Sequence, residues 1–144
     1  MSSLPKRKSI RLKHYDYSTN GYYFVTICTH LRKPLIRGIE NVIENIIKEL
    51  PKRFSGVNID YYVLMPTHLH IIIVLQESKV SLPEVVRTIK ALVTKNTGIR
   101  NLWQRGYYEH VIRNDKALYK IREYIQNNPL TEILKFYQFY EKKM

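Results

Sequence analysis

The feature that most constrains the fold is the largely apolar stretch at residues 61–75, which Pro66 interrupts. Because proline cannot donate a hydrogen bond within a sheet, we expect two strands, at residues 58–65 and 68–75, paired as an antiparallel hairpin. Residues two apart in a strand share a face, so His68 and His70 lie side by side. The rest of the second strand is apolar on both faces. Buried polar groups must be hydrogen-bonded or ligated, so this histidine pair indicates a site.

The remaining periodic segments predict an alternation of strands and helices. β-Branched and aromatic residues predict strands at 21–29 and 103–112. Apolar residues at helical spacing predict one helix at 41–50, ending or kinking near Pro51, and a second helix after Ser81. We expect Ser81 and Glu84 to form a capping box at the start of that second helix.

A third helix is expected to begin at a cap on Asn114 or Asp115 and to run to Asn128, before Pro129. The resulting order predicts an α+β fold, a ferredoxin-like split βαβ antiparallel sheet with an added C-terminal helix. The first two helices should cover one sheet face. The histidines should lie on a central strand and face the third helix.

Charge limits the class of partner. The 144 residues fit a single domain, 1–144. Lysine and arginine number 24 against 12 acidic residues, and the net charge of +12 predicts a polyanion, nucleic acid before an acidic membrane. The arm at residues 1–14 is expected to contact DNA, and residues 130–144 to form a tail or short helix. The basic candidates in the arm are Lys6, Arg7, Lys8 and Arg11.

Cysteine content and hydropathy indicate the compartment. The single cysteine, Cys28, excludes a disulfide framework within the chain, as expected in a reducing environment. No apolar run approaches the length of a membrane span, so we expect a cytoplasmic protein without a membrane partner.

Two polar residues on the third helix, Tyr124 and Asn128, are four residues and therefore one turn apart. On that helix alone, an edge tyrosine and a terminal asparagine are the simpler interpretation. Together with His68 and His70, however, Asn128 would provide a third neutral ligand for a divalent cation with open positions. A cation that binds a phosphate oxygen would let a nearby tyrosine attack the phosphorus.

Three motifs together resemble the single-tyrosine HUH transposases, in particular the REP-associated tyrosine transposase group. The motifs are Tyr-Val-Leu-Met-Pro-Thr-His-Leu-His at 62–70, Trp-Gln-Arg-Gly-Tyr-Tyr-Glu-His-Val-Ile-Arg at 103–113 and Tyr-Ile-Gln-Asn-Asn-Pro at 124–129. Segments at 9–12 and 16–26 also match, so the resemblance spans nearly the whole chain. Thr67 stands where the family commonly has asparagine.

The resemblance implies a transposase that cleaves single-stranded DNA beside a hairpin. It implies Mg²⁺ or Mn²⁺ held by His68, His70 and Asn128, and it implies that Tyr124 is the catalytic residue that forms a 5′-phosphotyrosine link. The sequence leaves open whether Tyr124 acts in its own subunit or across a homodimer. Charge and aromatic character add four candidate DNA-binding residues: Arg105, Tyr108, His110 and Arg113.

Two other functions stay open on the sequence alone. A non-catalytic module, including a domesticated transposase, could bind a hairpin or single-stranded nucleic acid on sheet aromatics. The aromatic candidates are Tyr22, Tyr23, Trp103, Tyr107 and Tyr108. A metal-dependent hydrolase would need a carboxylate base, and the nearest downstream acid, Glu77, lies beyond the far end of the histidine strand. Tyr107 and Tyr108 are also the rivals of Tyr124 for the role of nucleophile.

Overall fold

The computed structural model describes residues 20–127. Its strands and α-helices are β1 (Gly21–Cys28), α1 (Glu40–Arg53), β2 (Val57–Met65), β3 (His68–Leu75), α2 (Leu82–Thr97), β4 (Tyr108–Ile112) and α3 (Asp115–Asn127). The strands form one antiparallel sheet in the order β2–β3–β1–β4. The predicted α+β order and the central position of β3 are confirmed. The basic arm, Asn128 and the 130–144 segment lie outside the described residues.

The sheet is buried on both faces because β1 and β3 are apolar at most positions. Odd-numbered residues of these strands pack with α1 and α2 in the larger of two cores. Even-numbered residues, including Phe24 and Ile72, pack with α3 in the smaller core. Since residues two apart share a face, His68 and His70 lie on the α3 face, as predicted.

Helix α1 ends at Arg53, two residues beyond Pro51, which confirms the predicted end near Pro51. Pro51 falls in the last turn, where a missing N–H removes only one helical hydrogen bond. The Phe54 N–H still donates to the Leu50 carbonyl at 2.9 Å. Leu50 and three other buried residues hold this helix against the sheet; those residues are Ile43, Ile46 and Ile47.

The predicted fourth strand begins five residues too early. Trp103 forms only an isolated bridge with Thr29, and β4 starts at Tyr108. The loop between Trp103 and Tyr108 is hydrogen-bonded to α2 as well as to β1. The Lys90 ammonium donates to the carbonyls of Gln104 (3.0 Å) and Gly106 (2.6 Å), and the Trp103 indole donates to the Lys90 carbonyl (3.3 Å). Trp103 also packs on the larger core, so it is a structural residue.

The two predicted helix caps have different outcomes. The Asn114 side chain accepts the Ala117 N–H at 2.8 Å, which confirms a cap for α3. The capping box of Ser81 and Glu84 is wrong: the Ser81 hydroxyl makes no backbone cap bond and instead donates to the Glu84 carboxylate at 3.5 Å. Within residues 20–127, no helix is long and apolar enough to cross a membrane.

Gly56 provides a test of the turn between α1 and β2. Its φ is +84°, and a Cβ there would collide with the Gln76 carbonyl oxygen and approach Ser78 Cα to 2.9 Å. We expect Gly56→Ala to lower the free energy of unfolding by about 2–4 kcal/mol, combining left-handed strain with a clash against backbone. Gly38→Ala is the matched control, because φ is +89° but the space around it is open. It should cost only about 1–2 kcal/mol. Urea unfolding measures both values, and an equal loss of unfolding free energy in the two variants would contradict the predicted clash at Gly56.

Candidate active site

The site is built around His68 and His70, whose ring centroids are 4.4 Å apart. His70 on β3 lies opposite Thr26 on the neighbouring strand β1, and the Thr26 hydroxyl is hydrogen-bonded to His70 Nδ1 at 2.8 Å. The Thr67 hydroxyl is hydrogen-bonded to His68 Nδ1 at 3.0 Å. A threonine therefore engages Nδ1 of each imidazole and orients the ring. Thr67 thus supplies a side-chain hydrogen bond at the position directly before the first histidine.

Both imidazoles are neutral at pH 7. Burial, helped by the charge of Arg32, lowers the pKa of His68 to about 4. Burial, helped by His68, lowers the pKa of His70 to about 3. A neutral imidazole is the form that binds metal.

One nitrogen of this histidine pair is suited to bind a metal ion. Among residues 20–127, nothing hydrogen-bonds to Nε2 of His70, although that residue is only 1% exposed. An unsatisfied buried polar atom costs free energy, and a bound cation would remove the cost. The same part of the chain contains no group of three or more His, Cys, Asp or Glu residues that could hold a metal. A third protein ligand of another type, such as the amide of Asn128, is therefore compatible with this pair.

A cavity of about 500 Å³ lies beside the histidines. The last turn of α3 reaches it, because Ile125, Gln126 and Asn127 line the same cavity. Our sequence interpretation did not include the two amides at 126 and 127. The signal for them was present, because both belong to the motif that begins at Tyr124.

Helix α3 is held at the sheet by polar contacts to β2 as well as by its apolar stripe. The Arg122 guanidinium donates to both carboxylate oxygens of Asp60, with Nε at 2.8 Å from Oδ2. Gln126 donates to the Tyr61 hydroxyl at 2.8 Å. A β-bulge between Ile59 and Tyr61 takes Asp60 out of register with β3, and bulges commonly redirect a side chain near functional sites.

The predicted nucleophile lies on the histidine face. Tyr124 is half-buried and packs against the smaller core, which contains Ile72 of the histidine strand. Its rival Tyr107 packs against the larger core on the opposite face. Tyr108 pairs with Thr26 on β1 and packs on the histidine face, so the fold separates Tyr107 from the site but does not separate Tyr108.

The other candidate residues are spread from one end of the sheet to the other. Arg105 is exposed on the loop next to Cys28, at the end where Cys28 pairs with His68. His110 lies midway along the edge strand β4 and pairs with Phe24 on β1. Arg113 is exposed at the opposite end, after Ile112.

The two alternative functions are less compatible with this arrangement. Glu77 follows β3 at the end of the sheet away from His68, which disfavours it as a hydrolase base. The aromatics proposed to stack on bases are divided between the two faces. Tyr23 is fully buried, and Trp103 and Tyr107 pack on the larger core. They therefore do not form one open stacking surface.

Comparisons with known proteins agree with this geometry. A sequence model of the family described as "Transposase IS200 like" matches residues 17–128. The chain is similar to an uncharacterized protein of Haemophilus influenzae, with 38% identity over 86% of this chain and 88% of that protein. It is also similar to a REP-associated tyrosine transposase of Escherichia coli K12, with 30% identity over 79% of this chain and 69% of that protein.

A solved structure gives the corresponding result in three dimensions. It is the structure of a REP-associated tyrosine transposase bound to a REP hairpin, and it matches with a TM-score of 0.69 and 26% identity. The match covers 92% of this chain and 74% of that one.

The buried histidines predict a pH dependence of stability for the metal-free protein. Both pKa values are lower in the folded state, about 4 and about 3, than the usual value of 6.5 expected in the unfolded state. The unfolded chain therefore binds more protons below pH 6.5. The free energy of unfolding should be highest above pH 6.5 and fall toward pH 4, by at most about 1.4 kcal/mol per histidine per pH unit.

Urea unfolding in EDTA from pH 7 to pH 4 measures this dependence. A double variant, His68→Gln with His70→Gln, should show a shallower fall over the same range, because the two titrating groups are gone. Equal slopes for the double variant and the unaltered protein would contradict the assignment.

Proposed function

The chain belongs to the IS200-like transposase family, within the REP-associated tyrosine transposase group, and on that premise we propose that it cleaves single-stranded DNA beside a hairpin and transfers the cut strand. Tyr124 is the nucleophile in this proposal, and Mg²⁺ or Mn²⁺ is the cofactor. One observation carries it: two neutral, buried imidazoles border a cavity that the last turn of the Tyr124 helix also lines.

His68, His70 and Asn128 would hold the cation. When Nδ1–H donates to a threonine hydroxyl, the lone pair of Nε2 is available for ligation, and the hydroxyls of Thr26 and Thr67 are placed to accept that hydrogen bond. When bound, the cation supplies electrostatic stabilisation for charge that builds up on the phosphate oxygens. The threonines keep both rings oriented, so little rearrangement is needed when substrate arrives.

Tyr124 would act from a helix that is already fixed in place. The apolar stripe of α3 and the Arg122–Asp60 ion pair hold it on the histidine face. The tyrosine oxygen loses its proton to solvent and bonds to phosphorus, while the bond from phosphorus to the 3′-oxygen breaks and that oxygen takes up a proton to give a free 3′-OH. The phosphotyrosine link conserves the energy of the phosphodiester, so a 3′-OH can later attack it and reseal the strand.

The DNA partner follows from charge and from the relatives. A net charge of +12 favours a polyanion, and one similar structure is described as bound to a REP hairpin. In this proposal, the basic arm at Lys6, Arg7, Lys8 and Arg11 and the exposed Arg105 contact phosphates. The protein would act on DNA in the cytoplasm, as one subunit or as a homodimer.

Removing one hydroxyl tests the nucleophile. Tyr124→Phe should retain hairpin affinity and fold, yet form no covalent adduct, because phenylalanine cannot form a phosphotyrosine bond. The measurement is a denaturing gel with a labelled hairpin oligonucleotide in Mn²⁺, followed by peptide mapping.

Tyr107→Phe and Tyr108→Phe are the controls, and both should still form the adduct. Adduct formation by Tyr124→Phe, or a label that maps to Tyr108, would overturn the assignment. If the unaltered protein binds the hairpin but forms no adduct, it is a binding module.

Thr26→Val tests the orienting hydrogen bond. Valine has nearly the same shape but no hydroxyl, so His70 Nδ1 loses its partner in a buried site. We expect Mn²⁺ affinity, measured by calorimetric titration, to fall about 10–100-fold. Thr94→Val, a half-buried threonine on α2, is the matched control and should leave Mn²⁺ affinity unchanged. Unaltered Mn²⁺ affinity in Thr26→Val would contradict the orienting role.

A further inference from the structure

Three segments meet at the histidine end of the sheet, and none of them contains a carboxylate. They are residues 29–39, 64–70 and 101–107. A chain with 12 acidic residues could have placed one here, but these segments carry only positive charge and histidine. Apart from the histidines, their basic residues are Arg32, Lys33, Arg37 and Arg105. The sequence interpretation included only Arg105 among these.

Backbone hydrogen bonds fasten the three segments together. Thr29 donates to the Thr67 carbonyl from both its N–H and its hydroxyl, each at 3.0 Å. Ile36 donates to the Pro66 carbonyl at 3.1 Å, and His30 donates to the Leu102 carbonyl at 2.9 Å. Because Thr67 immediately precedes His68, the position of the 29–33 turn is fixed directly relative to the histidines.

The 29–33 turn contains an unusual backbone conformation. Leu31 and Arg32 are consecutive non-glycine residues with φ of +53° and +52°. Each such residue costs roughly 1–2 kcal/mol. Leu31 is 71% exposed and Arg32 is also exposed, so burial of these side chains does not offset the cost. Strain retained on an exposed turn beside a site indicates a function for that turn.

The turn is closed by its own hydrogen bonds. Arg32 donates its N–H to the Thr29 carbonyl at 3.0 Å, and Lys33 donates its N–H to the His30 carbonyl at 3.1 Å. The Thr29 hydroxyl also lies 2.7 Å from the Lys33 carbonyl. The backbone of Arg32 is therefore fixed by hydrogen bonds in a turn that is itself bonded to Thr67, the residue before His68.

We propose that Arg32, supported by Lys33, binds a backbone phosphate of the single-stranded DNA next to the phosphate at His68 and His70; this inference rests on the proposed function. A guanidinium binds phosphate through two parallel hydrogen bonds, and the three segments contain no carboxylate of their own that would compete for it. A second phosphate contact would align the strand so that the scissile phosphate enters the cavity.

The test compares charge removal at the two ends of the sheet. Arg32→Gln removes the proposed contact, and Arg53→Gln is the matched control. Arg53 is exposed at the end of α1, shortly before Val57, which pairs with Leu75 at the opposite end from His68. Binding of a labelled hairpin oligonucleotide with a single-stranded flank is measured over a range of salt concentrations.

Arg32→Gln should weaken binding about tenfold or more and reduce the log–log salt slope by about 0.7, as for one lost phosphate contact. Arg53→Gln should change neither quantity. Arg32→Lys should keep the slope while losing part of the affinity, because it keeps the charge but not the paired hydrogen bonds. Lys33→Gln is a second variant that leaves both left-handed residues in place, and it should cause a smaller loss in the same direction.

The Mn²⁺ affinity of the Arg32 variant distinguishes a DNA-binding role of this residue from a structural role. Removing a positive charge near the imidazoles should leave Mn²⁺ affinity unchanged or raise it, whereas damage to the fold would lower both Mn²⁺ and DNA affinity. If Arg32→Gln matches Arg53→Gln in affinity and slope while the unaltered protein forms the Tyr124 adduct, the phosphate contact is wrong and the proposed function stands. If the unaltered protein forms no adduct, the proposed function fails, and the salt slope still decides whether Arg32 contacts DNA.

Discussion

The contact between each imidazole and a threonine hydroxyl is the interaction on which the site depends. Thr26 reaches His70 from the neighbouring strand, and Thr67 reaches His68 from the turn before it. Because these contacts use Nδ1, the other nitrogen of each ring remains for a ligand. Burial keeps both rings neutral, and the buried Nε2 of His70, which has no hydrogen-bond partner among residues 20–127, favours a cation. If the proposed cation binds here, its affinity is coupled to the folded structure through this small hydrogen-bonded group.

A sheet buried on both faces makes that group rigid. The larger core holds α1 and α2 against one face, which leaves the other face for α3 and the histidines. Helix α3 is fixed by apolar packing and by the ion pair from Arg122 to Asp60, so its last turn borders the histidine cavity. The scaffold thus brings together a strand, a turn and a helix that are far apart in the chain. Such preorganisation favours in-line chemistry on a phosphate, which depends mainly on position and electrostatics.

The electrostatic character of the histidine end fits the same chemistry. Burial is the main cause of the lowered pKa of His68, and the charge on Arg32 adds to it without adding a competing ligand. The segments 29–39, 64–70 and 101–107, which join at this end, contain no carboxylate of their own, and their positive charge favours an entering phosphate. The left-handed residues at 31 and 32 show that the backbone accepts strain here. That strain and the local charge are both explained if the turn contacts DNA.

Local patterns in the sequence determined the strand and helix order and the face on which His68 and His70 lie, because side-chain alternation in a strand and the helical repeat depend only on nearby residues. The same patterns did not predict features that depend on contacts between residues far apart in the sequence. Trp103 looks like a strand residue, but its loop is held by Lys90 on α2. Thr26 meets His70 from 44 residues away, through a register that only the assembled sheet sets. The neighbours Tyr107 and Tyr108 pack on opposite faces, and the tertiary structure decides which one faces the histidines because β4 begins between them.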